Sequence, residues 1–330
     1  MDTYVLHDTD YDGRGAAYAA WKKFGDDAEY IALDHRDARE GPPTDQLPST
    51  PARIYILDYS WDIDQLLYLG QAHEVTVIDH HPSFYRQVRA HQPARRKGPD
   101  PDHSPLSYEG KVVGHPAGAE DDDRVGLFDV VYNSERSAAT LSWMYFHQSE
   151  PPRLLKHIED RDLWNWDMEH TDAVLKGLDV EGTDPETIDV YVGQEDRLLA
   201  TGTAVCGYRD GLVGRLVEDA AVGEVDFRGD TYQVAYANAP VLRSKVGHEL
   251  LEKFPDVDFS LVYSTDGLPE GTIGISLRST DDRADVSKIA EAHGGGGMSN
   301  AAGCKAEFEP QFEENGALFG QGSLFDSILL

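Results

Sequence analysis

The sequence predicts an α/β protein in which a doubly wound parallel sheet is joined by a connecting helix to a smaller α/β domain with a mixed sheet. Three observations lead to this prediction. The chain has 330 residues, more than one hydrophobic core usually holds. Short apolar runs alternate with helical segments over residues 3–81. After about residue 223 the pattern changes to hairpins and separate strands.

Four apolar runs near the amino terminus are predicted to be parallel strands covered on both faces, because they are almost continuous in Val, Ile, Leu and Tyr. They are TYVLH (3–7), EYIAL (29–33), RIYIL (53–57) and EVTVI (74–78). Two segments between them, residues 13–25 and 62–72, have the composition of crossover helices. We therefore expect a first domain over residues 1–188.

Periodicity is lost over residues 92–125, where Pro, Gly, Asp and His accumulate, and this segment is predicted to be a surface insertion. Order resumes with the strand GLFDVVYN, a helix with Ser134 as its N-cap, and a helix that begins at PPRLLKHIEDRDLW. Residues 189–222 are predicted to form the connecting helix, although three glycines interrupt it. Residues 223–310 would form the second domain, and 311–330 an acidic and then apolar tail.

The charge balance is strongly acidic, with 60 Asp and Glu against 29 Lys and Arg and a formal net charge of −31. Such a surface is typical of a halophile, which suggests a haloarchaeal protein, since molar salt reduces the Debye length to about 3 Å. An ordinary acidic protein is the alternative. The composition argues against broad duplex binding, which requires a basic footprint, but does not exclude nucleotides.

Cysteine usage and hydropathy indicate a cytoplasmic protein. Cys206 and Cys304 are far apart and support neither a disulfide framework nor a thiolate zinc site. The start MDTYVLHD is acidic where a signal peptide is basic, and no apolar stretch is long enough to cross a membrane. We expect no membrane association.

Acidic and imidazole side chains cluster at the ends of four predicted elements, and three clusters follow parallel strands, where open α/β sheets place their sites. The clusters are HDTDYDG with His7, Asp10 and Asp12; Asp58; Asp79 with His80 and His81; and Asp160 with Asp162. Each alone is more simply a helix cap or a solvated face. Together they favour two Mn²⁺ or Mg²⁺ ions, because oxygen ligands with a few imidazoles suit such cations and relieve carboxylate repulsion.

These motifs, in this order and followed by GGGGMSNAAG (294–303), resemble the DHH phosphoesterase superfamily. The resemblance covers nearly the whole chain and is to the two-domain type with a glycine-rich DHH-associated domain, which includes RecJ-like exonucleases and nanoRNase-type oligoribonucleases. It implies that residues 1–188 form the catalytic metal-binding domain and residues 223–310 the substrate-binding domain.

The resemblance also implies the ligands of two manganese ions, with Mg²⁺ or Co²⁺ as other candidates. His7, Asp10 and Asp58 would hold one ion, and the second would be held by Asp12, Asp58, His80 and Asp160, with Asp162 as the alternative to Asp160. Asp58 would bridge the ions, a bridging water would be the nucleophile, and His81 would face the scissile phosphate.

Further residues are candidates for contact with the substrate. Arg136 lies at a predicted helix start, where it could engage a phosphoryl oxygen or form a surface salt bridge. In the second domain, Ser276 and Arg278 share one face of a strand, and the resemblance implies that such a strand binds the substrate end beside the glycine loop. The loop residues concerned are Gly295, Gly296, Gly297 and Asn300. Four glycines permit close phosphate approach; a flexible linker is the alternative.

The sequence thus predicts a manganese-dependent phosphodiesterase that cleaves short single-stranded RNA or DNA, or small nucleotides, from one end, as a possible homodimer. The alternative is a relative that binds nucleotide or RNA without hydrolysing it, as a regulatory or complex-forming subunit. Met298 favours the alternative, because the family usually has histidine after the glycine run. The complete set of candidate ligands favours the enzyme.

Overall fold

The computed structural model describes residues 1–34, 41–91, 107–116, 125–265, 268–269 and 271–307. The chain divides into two compact units, Met1–Cys206 and Gly207–Leu330. The division lies inside a long helix within the predicted connecting segment, 189–222. The predicted tail, 311–330, lies outside the described residues.

The first unit contains a six-stranded sheet, which confirms the predicted α/β class. Its strands are β1 Thr3–Asp8, β2 Ala28–Leu33, β3 Arg53–Leu57, β4 Glu74–Asp79, β5 Ser107–Gly114 and β6 Gly126–Asn133. The order across the sheet is β2-β1-β3-β4-β6-β5. All neighbours are parallel except β5, which runs antiparallel to β6. The direction of strand order reverses at β1, so the sheet has a topological switch point there.

Strand β5 lies within the segment that the sequence assigns to an insertion. Residues 92–106 and 117–124 are outside the described part of the chain, but the stretch between them pairs with β6 along its whole length. Only one face of β5 is covered by other parts of the protein, since Val112 is buried whereas Val113, on the other face, is exposed. This edge strand gives a weak signal in the sequence, because it contains Gly110 and ends at Gly114, and the flanking residues are rich in Pro, Gly and Asp.

Helices cover both faces of this sheet, as the apolar runs require. They are α1 Tyr11–Phe24, α2 Ile63–Leu69, α3 Pro82–His91, α4 Ala138–His147, α5 Arg153–Asp162, α6 Thr171–Glu181 and α7 Pro185–Tyr191. Successive strand residues point to opposite faces of the sheet and so belong to two hydrophobic cores. Leu6 and Ile56 pack in one core, and Val5 and Leu57 pack in the other. Strand β2 differs from the prediction, because as an edge strand it is mostly only partly buried.

The long helix α8, Glu195–Glu218, passes without a break through Gly202, Gly207 and Gly211. Gly202 is needed for packing: a Cβ there would lie 1.6 Å from the carbonyl oxygen of Ala173 on α6. A Cβ on Gly207 or Gly211 would meet nothing within 4 Å. The glycine at 202 therefore permits close helix contact and does not end the helix.

The second unit is built on a mixed six-stranded sheet in the order β11-β12-β10-β9-β8-β7. Its elements are β7 Ala221–Phe227, β8 Asp230–Asn238, α9 Arg243–Lys253, β9 Phe259–Ser264, β10 Thr272–Arg278, α10 Val286–Ala292, β11 Gly296–Met298 and β12 Ala301–Glu307. Only β8 and β9 are parallel. The predicted hairpin around residues 228–230 joins β7 to β8. In the described part of the chain, no helix is both long and apolar enough to traverse a bilayer.

Candidate metal centre

The candidate site lies at the carboxyl edge of three adjacent strands, β1, β3 and β4. Their register places His7 level with Leu57, and Leu57 level with Ile78. Side chains that follow these positions therefore leave the sheet at the same edge, beside the switch point. This is the edge at which the sequence predicts the first three clusters to meet.

Asp58 occupies the centre of this edge. Its backbone has a φ of 57°, a left-handed conformation, and its N–H donates to the carbonyl of Ile78 (3.0 Å). The side chain is buried, and its Oδ1 has no hydrogen-bond partner among the described residues. Burial, together with neighbouring carboxylates of which Asp12 contributes most, raises the pKa of Asp58 well above its ordinary value.

His80 brings three carboxylates together. Its Nε2 lies 3.4 Å from Asp58 Oδ1, 3.4 Å from Asp162 Oδ2 and 3.7 Å from Asp12 Oδ2. Burial, aided by the charge of His81, lowers the pKa of His80 to about 4. The imidazole is therefore neutral near pH 7 and retains a lone pair for a metal.

Asp12 is fully buried and also holds the start of helix α4. Its Oδ2 accepts the N–H of Ala138 (2.6 Å) and its Oδ1 accepts the N–H of Ala139 (2.9 Å). Helix α4 begins at Ala138, with Ser137 as its N-cap. The sequence places the N-cap at Ser134; instead, Asn133 Oδ1 accepts the N–H of Glu135 and forms a turn before the helix.

Asp79 orients the third residue of the triplet. Its Oδ1 accepts the backbone N–H of His80 (2.7 Å) and of His81 (3.0 Å), and lies 2.7 Å from His81 Nδ1. The hydrogen bond with Asp79 raises the pKa of His81 to about 9, although partial loss of contact with water opposes this shift. His81 is therefore an imidazolium that donates to Asp79, and its side chain is 47% exposed. Near pH 7, His80 is thus neutral and its neighbour His81 is positively charged.

Of the two carboxylates in the fourth cluster, Asp162 lies beside His80 and Asp160 does not. Asp162 Oδ2 has no hydrogen-bond partner among the described residues and faces His80, and burial raises the pKa of Asp162 to about 6. The carboxylate of Asp160 is turned into its own loop. Its Oδ1 accepts the N–H of Asp167 (2.7 Å), and its Oδ2 accepts the hydroxyl of Thr171 (2.5 Å).

His7 and Asp10 lie beside the cluster without joining it directly. The groups of three possible ligands found among the described residues are Asp58 with His80 and His81, and Asp12 with His80 and Asp162. His7 is buried and its Nδ1 donates to the carbonyl of Asp8 (2.7 Å), which leaves Nε2 as the basic nitrogen. Asp10 caps α1, accepting the N–H of Asp12 and Gly13 through Oδ1.

The arrangement suits a divalent cation. Burial and the charge of Asp162 raise the pKa of Asp12 to about 8, so these carboxylates repel one another strongly without a cation. Three buried carboxylate oxygens, on Asp58, Asp79 and Asp162, are without a hydrogen-bond partner in the described chain, and those of Asp58 and Asp162 face His80. Oxygen donors with a neutral imidazole and no thiolate match the preference of Mn²⁺ and Mg²⁺.

Arg136 forms an ion pair at the start of α4. Its Nη1 lies 3.0 Å from Glu159 Oε1, and the N–H of Ser137 donates to Glu159 Oε2 (3.1 Å). The hydroxyl of Thr140 also donates to Glu159. The sequence motifs do not identify Glu159 as a residue of the site. Its position on α5, one residue before Asp160, is the feature of the sequence that could have indicated it.

The candidate substrate residues of the second unit lie along β10, β11 and β12. Ser276 and Arg278 share one face, and Arg278 Nη1 donates to Ser276 Oγ (3.1 Å). Asn300 donates to Asp281, and Met298 is 72% exposed.

The glycines of this region have a structural reason. Gly297 has a φ of 146°, and a Cβ there would lie 2.4 Å from the carbonyl oxygen of Ala301. Gly296 begins β11, and Gly295 lies beside a cavity of about 650 Å³ that Arg243 and Lys305 also line. The run therefore connects α10 to β11, the first strand of a hairpin with β12, and Arg243 and Lys305 line the same cavity as Gly295.

Sequence comparison finds one viral relative. No family model matches the chain. An uncharacterised protein of Acanthamoeba polyphaga mimivirus is 30% identical over 176 residues, which is 52% of this chain and 42% of that protein. The chain thus spans less than half the length of this relative.

Three solved structures are similar to this chain with TM-scores between 0.39 and 0.49. A pGpG-specific phosphodiesterase, PggH of Vibrio cholerae, has a TM-score of 0.49 and 11% identity, with 93% of this chain and 94% of that chain covered. RecJ of Thermus thermophilus with Mn²⁺ has a TM-score of 0.41 and 14% identity, with 93% and 49% covered. An uncharacterised protein of Helicobacter pylori has a TM-score of 0.39 and 14% identity, with 99% of both chains covered.

Proposed function

We propose that this chain is a divalent-metal-dependent phosphodiesterase of the DHH superfamily that hydrolyses short single-stranded oligonucleotides or small nucleotides. The observation that carries the proposal is the meeting of Asp12, Asp58, His80 and Asp162 around buried carboxylate oxygens without partners. These residues come from four separate motifs of the sequence. The order of those motifs and the glycine run after them give the resemblance to the superfamily.

Asp12, Asp58, His80 and Asp162 would hold a manganese or magnesium ion, and His7 and Asp10, on the neighbouring strand end and helix cap, would help to hold a second. Bound at this place, such ions supply Lewis acidity and an activated water for attack on a phosphodiester.

The protein's own groups have separate tasks in this proposal. Asp79 fixes the ring of His81 through Nδ1, so that the exposed imidazolium can donate a hydrogen bond to a phosphoryl oxygen from its other ring nitrogen. His80 remains neutral because it is buried next to His81. Arg136 is positioned by Glu159 at the start of α4, and we assign it a supporting charge contact with the substrate.

The second unit is proposed to bind the substrate end. Arg278 presents its guanidinium beside Ser276 on β10, and Gly295, Gly296, Gly297 and Asn300 form the hairpin region next to it in the sheet. With Met298 in place of histidine, we expect binding there to rely on guanidinium and backbone N–H groups.

The proposal is tested with a short 5′-phosphorylated RNA in molar KCl. Chelation should abolish release of mononucleotides and Mn²⁺ should restore it. Asp58→Asn should lower turnover by more than about 100-fold, since even residues that only support metal ligands usually cost 10- to 100-fold. Asparagine tolerates the left-handed backbone of this position, so the variant should fold.

Asp64→Asn is the matched control, because it removes the same charge from an exposed position on α2. Hydrolysis that is indifferent to chelator would contradict the proposal. Tight, stoichiometric RNA binding without product in the presence of Mn²⁺ would instead establish the non-hydrolysing alternative.

A further inference from the structure

Two tryptophans beside the candidate metal centre are exposed. Trp164 is 72% exposed and Trp166 is 41% exposed, in the loop that follows α5. Their rings meet edge to face, with centroids 5.2 Å apart and planes at 77°. A contact of this shape covers at most one ring face, so broad indole surface remains open to solvent. Nothing in the chemistry assigned to the centre uses these side chains.

The backbone that carries the tryptophans is held in an unfavourable conformation. Trp164 has a φ of 59° and Trp166 a φ of 56°, a left-handed region that bulky residues rarely adopt. Such strain is retained only where surrounding contacts determine it, and it is concentrated at functional sites. The loop is therefore built to present these rings in a defined way.

Asp160 provides the contacts that hold the loop. Its backbone carbonyl accepts the N–H of Asn165 (2.9 Å) and Trp166 (3.3 Å), and its Oδ1 accepts the N–H of Asp167 (2.7 Å) and Met168 (3.3 Å). Four consecutive amides are thus tied to one buried residue. Thr171 fixes the other carboxylate oxygen and in turn accepts from His157 Nδ1 (2.9 Å).

The position of Trp164 along the chain places it next to the reacting centre. It follows Asp162, which faces His80, by two residues, so their Cα atoms are within about 7 Å of each other. A ligand whose phosphate is held beside Asp162 is therefore within reach of Trp164. In a nucleotide, the planar apolar part that lies beyond the phosphate and sugar is the base.

We propose that Trp164, braced by Trp166, is a stacking platform for a nucleobase of the ligand held at the candidate metal centre. This inference rests on the proposed function, since it takes the ligand to be a nucleotide. Stacking is compatible with the acidic composition of this chain, because a neutral base is not repelled by negative charge. Stacking also tolerates any base, since every base has a π face.

The test uses adenosine 5′-monophosphate as probe and ribose 5-phosphate as the same ligand without a base, in molar KCl with Mn²⁺. Binding is followed by calorimetry. Trp164→Ala should weaken binding of adenosine 5′-monophosphate by about 5- to 150-fold, the range expected for loss of one stacked base. Binding of ribose 5-phosphate should not change. Trp164→Phe should retain most of the affinity, whereas Trp164→Leu, which fills space without a π face, should not.

Tyr68→Ala is the control, because Tyr68 is similarly exposed but lies on α2, whose carboxyl end leads back to the opposite edge of the sheet. Equal loss of affinity for both ligands in Trp164→Ala would overturn the proposal, since it would show a structural role. Equal affinity of the wild-type protein for the two ligands would also overturn the proposal, because the base would then contribute nothing to binding. The exposed tryptophans would in that case be assigned to contact with a protein partner. If the alanine variant does not fold, the comparison of the Phe and Leu variants decides.

The outcome is separable from that of the phosphodiesterase proposal. Adenosine 5′-monophosphate has no diester, so its binding does not depend on turnover. Unchanged binding in Trp164→Ala together with metal-dependent release of mononucleotides would refute the platform alone. A base-dependent loss without any hydrolysis would refute the enzyme alone.

Discussion

Asp160 and Asp162 are two residues apart on one helix, and the structure gives them different surroundings. Side chains two positions apart on an α-helix point about 200° away from each other, so only one of the two can face His80. The sequence DRD predicts that one carboxylate lies at the candidate metal centre but does not show whether it is Asp160 or Asp162. Asp162 faces the cluster, and Asp160 holds the loop.

This difference predicts opposite effects of two isosteric substitutions. Asp162→Asn should weaken Mn²⁺ binding by at least about tenfold and raise the melting temperature of the metal-free protein, because it removes a carboxylate that is repelled by its neighbours. Asp160→Asn should keep Mn²⁺ affinity but lower stability by about 1.5–3 kcal/mol, because hydrogen bonds to a charged acceptor are lost or weakened. Calorimetric titration with Mn²⁺ and thermal unfolding measure the two properties.

Each variant serves as the control for the other. The assignment of metal binding to Asp162 and of loop stability to Asp160 would be wrong if Asp160→Asn lost the metal and Asp162→Asn kept it. It would also be wrong if both variants lost the metal to the same extent.

At the scale of elements, the strands that carry the first three clusters form where the apolar runs predict them. A short, continuous apolar run has few structures open to it other than a buried strand, which is why the run RIYIL has the same bounds as β3. Glycine is harder to interpret from sequence, because it breaks an isolated helix but also permits helices to touch. Only the partner helix reveals which applies at position 202.

Helix α8 allows this distinction to be measured. Gly202→Ala should destabilise the protein by about 1–3 kcal/mol, because its Cβ would overlap the carbonyl of Ala173 and force α6 and α8 apart. Gly207→Ala and Gly211→Ala meet no neighbouring atom and should raise stability by up to about 1 kcal/mol through helix propensity.

Urea unfolding of the three variants gives the comparison, with the two exposed positions as matched controls. Equal effects at all three positions would mean that propensity alone governs this helix.

At the scale of the whole molecule, a net charge of −31 predicts that stability depends on salt. Self-repulsion opposes the compact state, and screening relieves it as the Debye length falls to about 3 Å near 1 M salt. The melting temperature should therefore rise by at least about 5 °C between 0.1 M and 2 M KCl. Differential scanning calorimetry across a KCl series measures this.

A flat or falling melting temperature would contradict the halophilic interpretation and favour an ordinary acidic protein. Sulfate salts are the comparison, because they stabilise proteins generally through exclusion from the surface.

The sequence predicts the two α/β units and the edge of the sheet at which the acidic clusters meet. It does not predict which oxygens remain without partners, because that depends on hydrogen bonds between distant segments. Asp12 is the clearest case: its candidate role follows from the motif, whereas its bonds to Ala138 and Ala139 connect positions more than 120 residues apart.

Those two bonds have a mechanical consequence. Since Asp12 holds the first amides of α4, a shift of its carboxylate toward a cation must either pull the start of this helix along or release its opening turn. The preceding residues, including Arg136, would move with it. A cation that shifts the Asp12 carboxylate would thereby move a guanidinium on a separate segment without any change in the sheet.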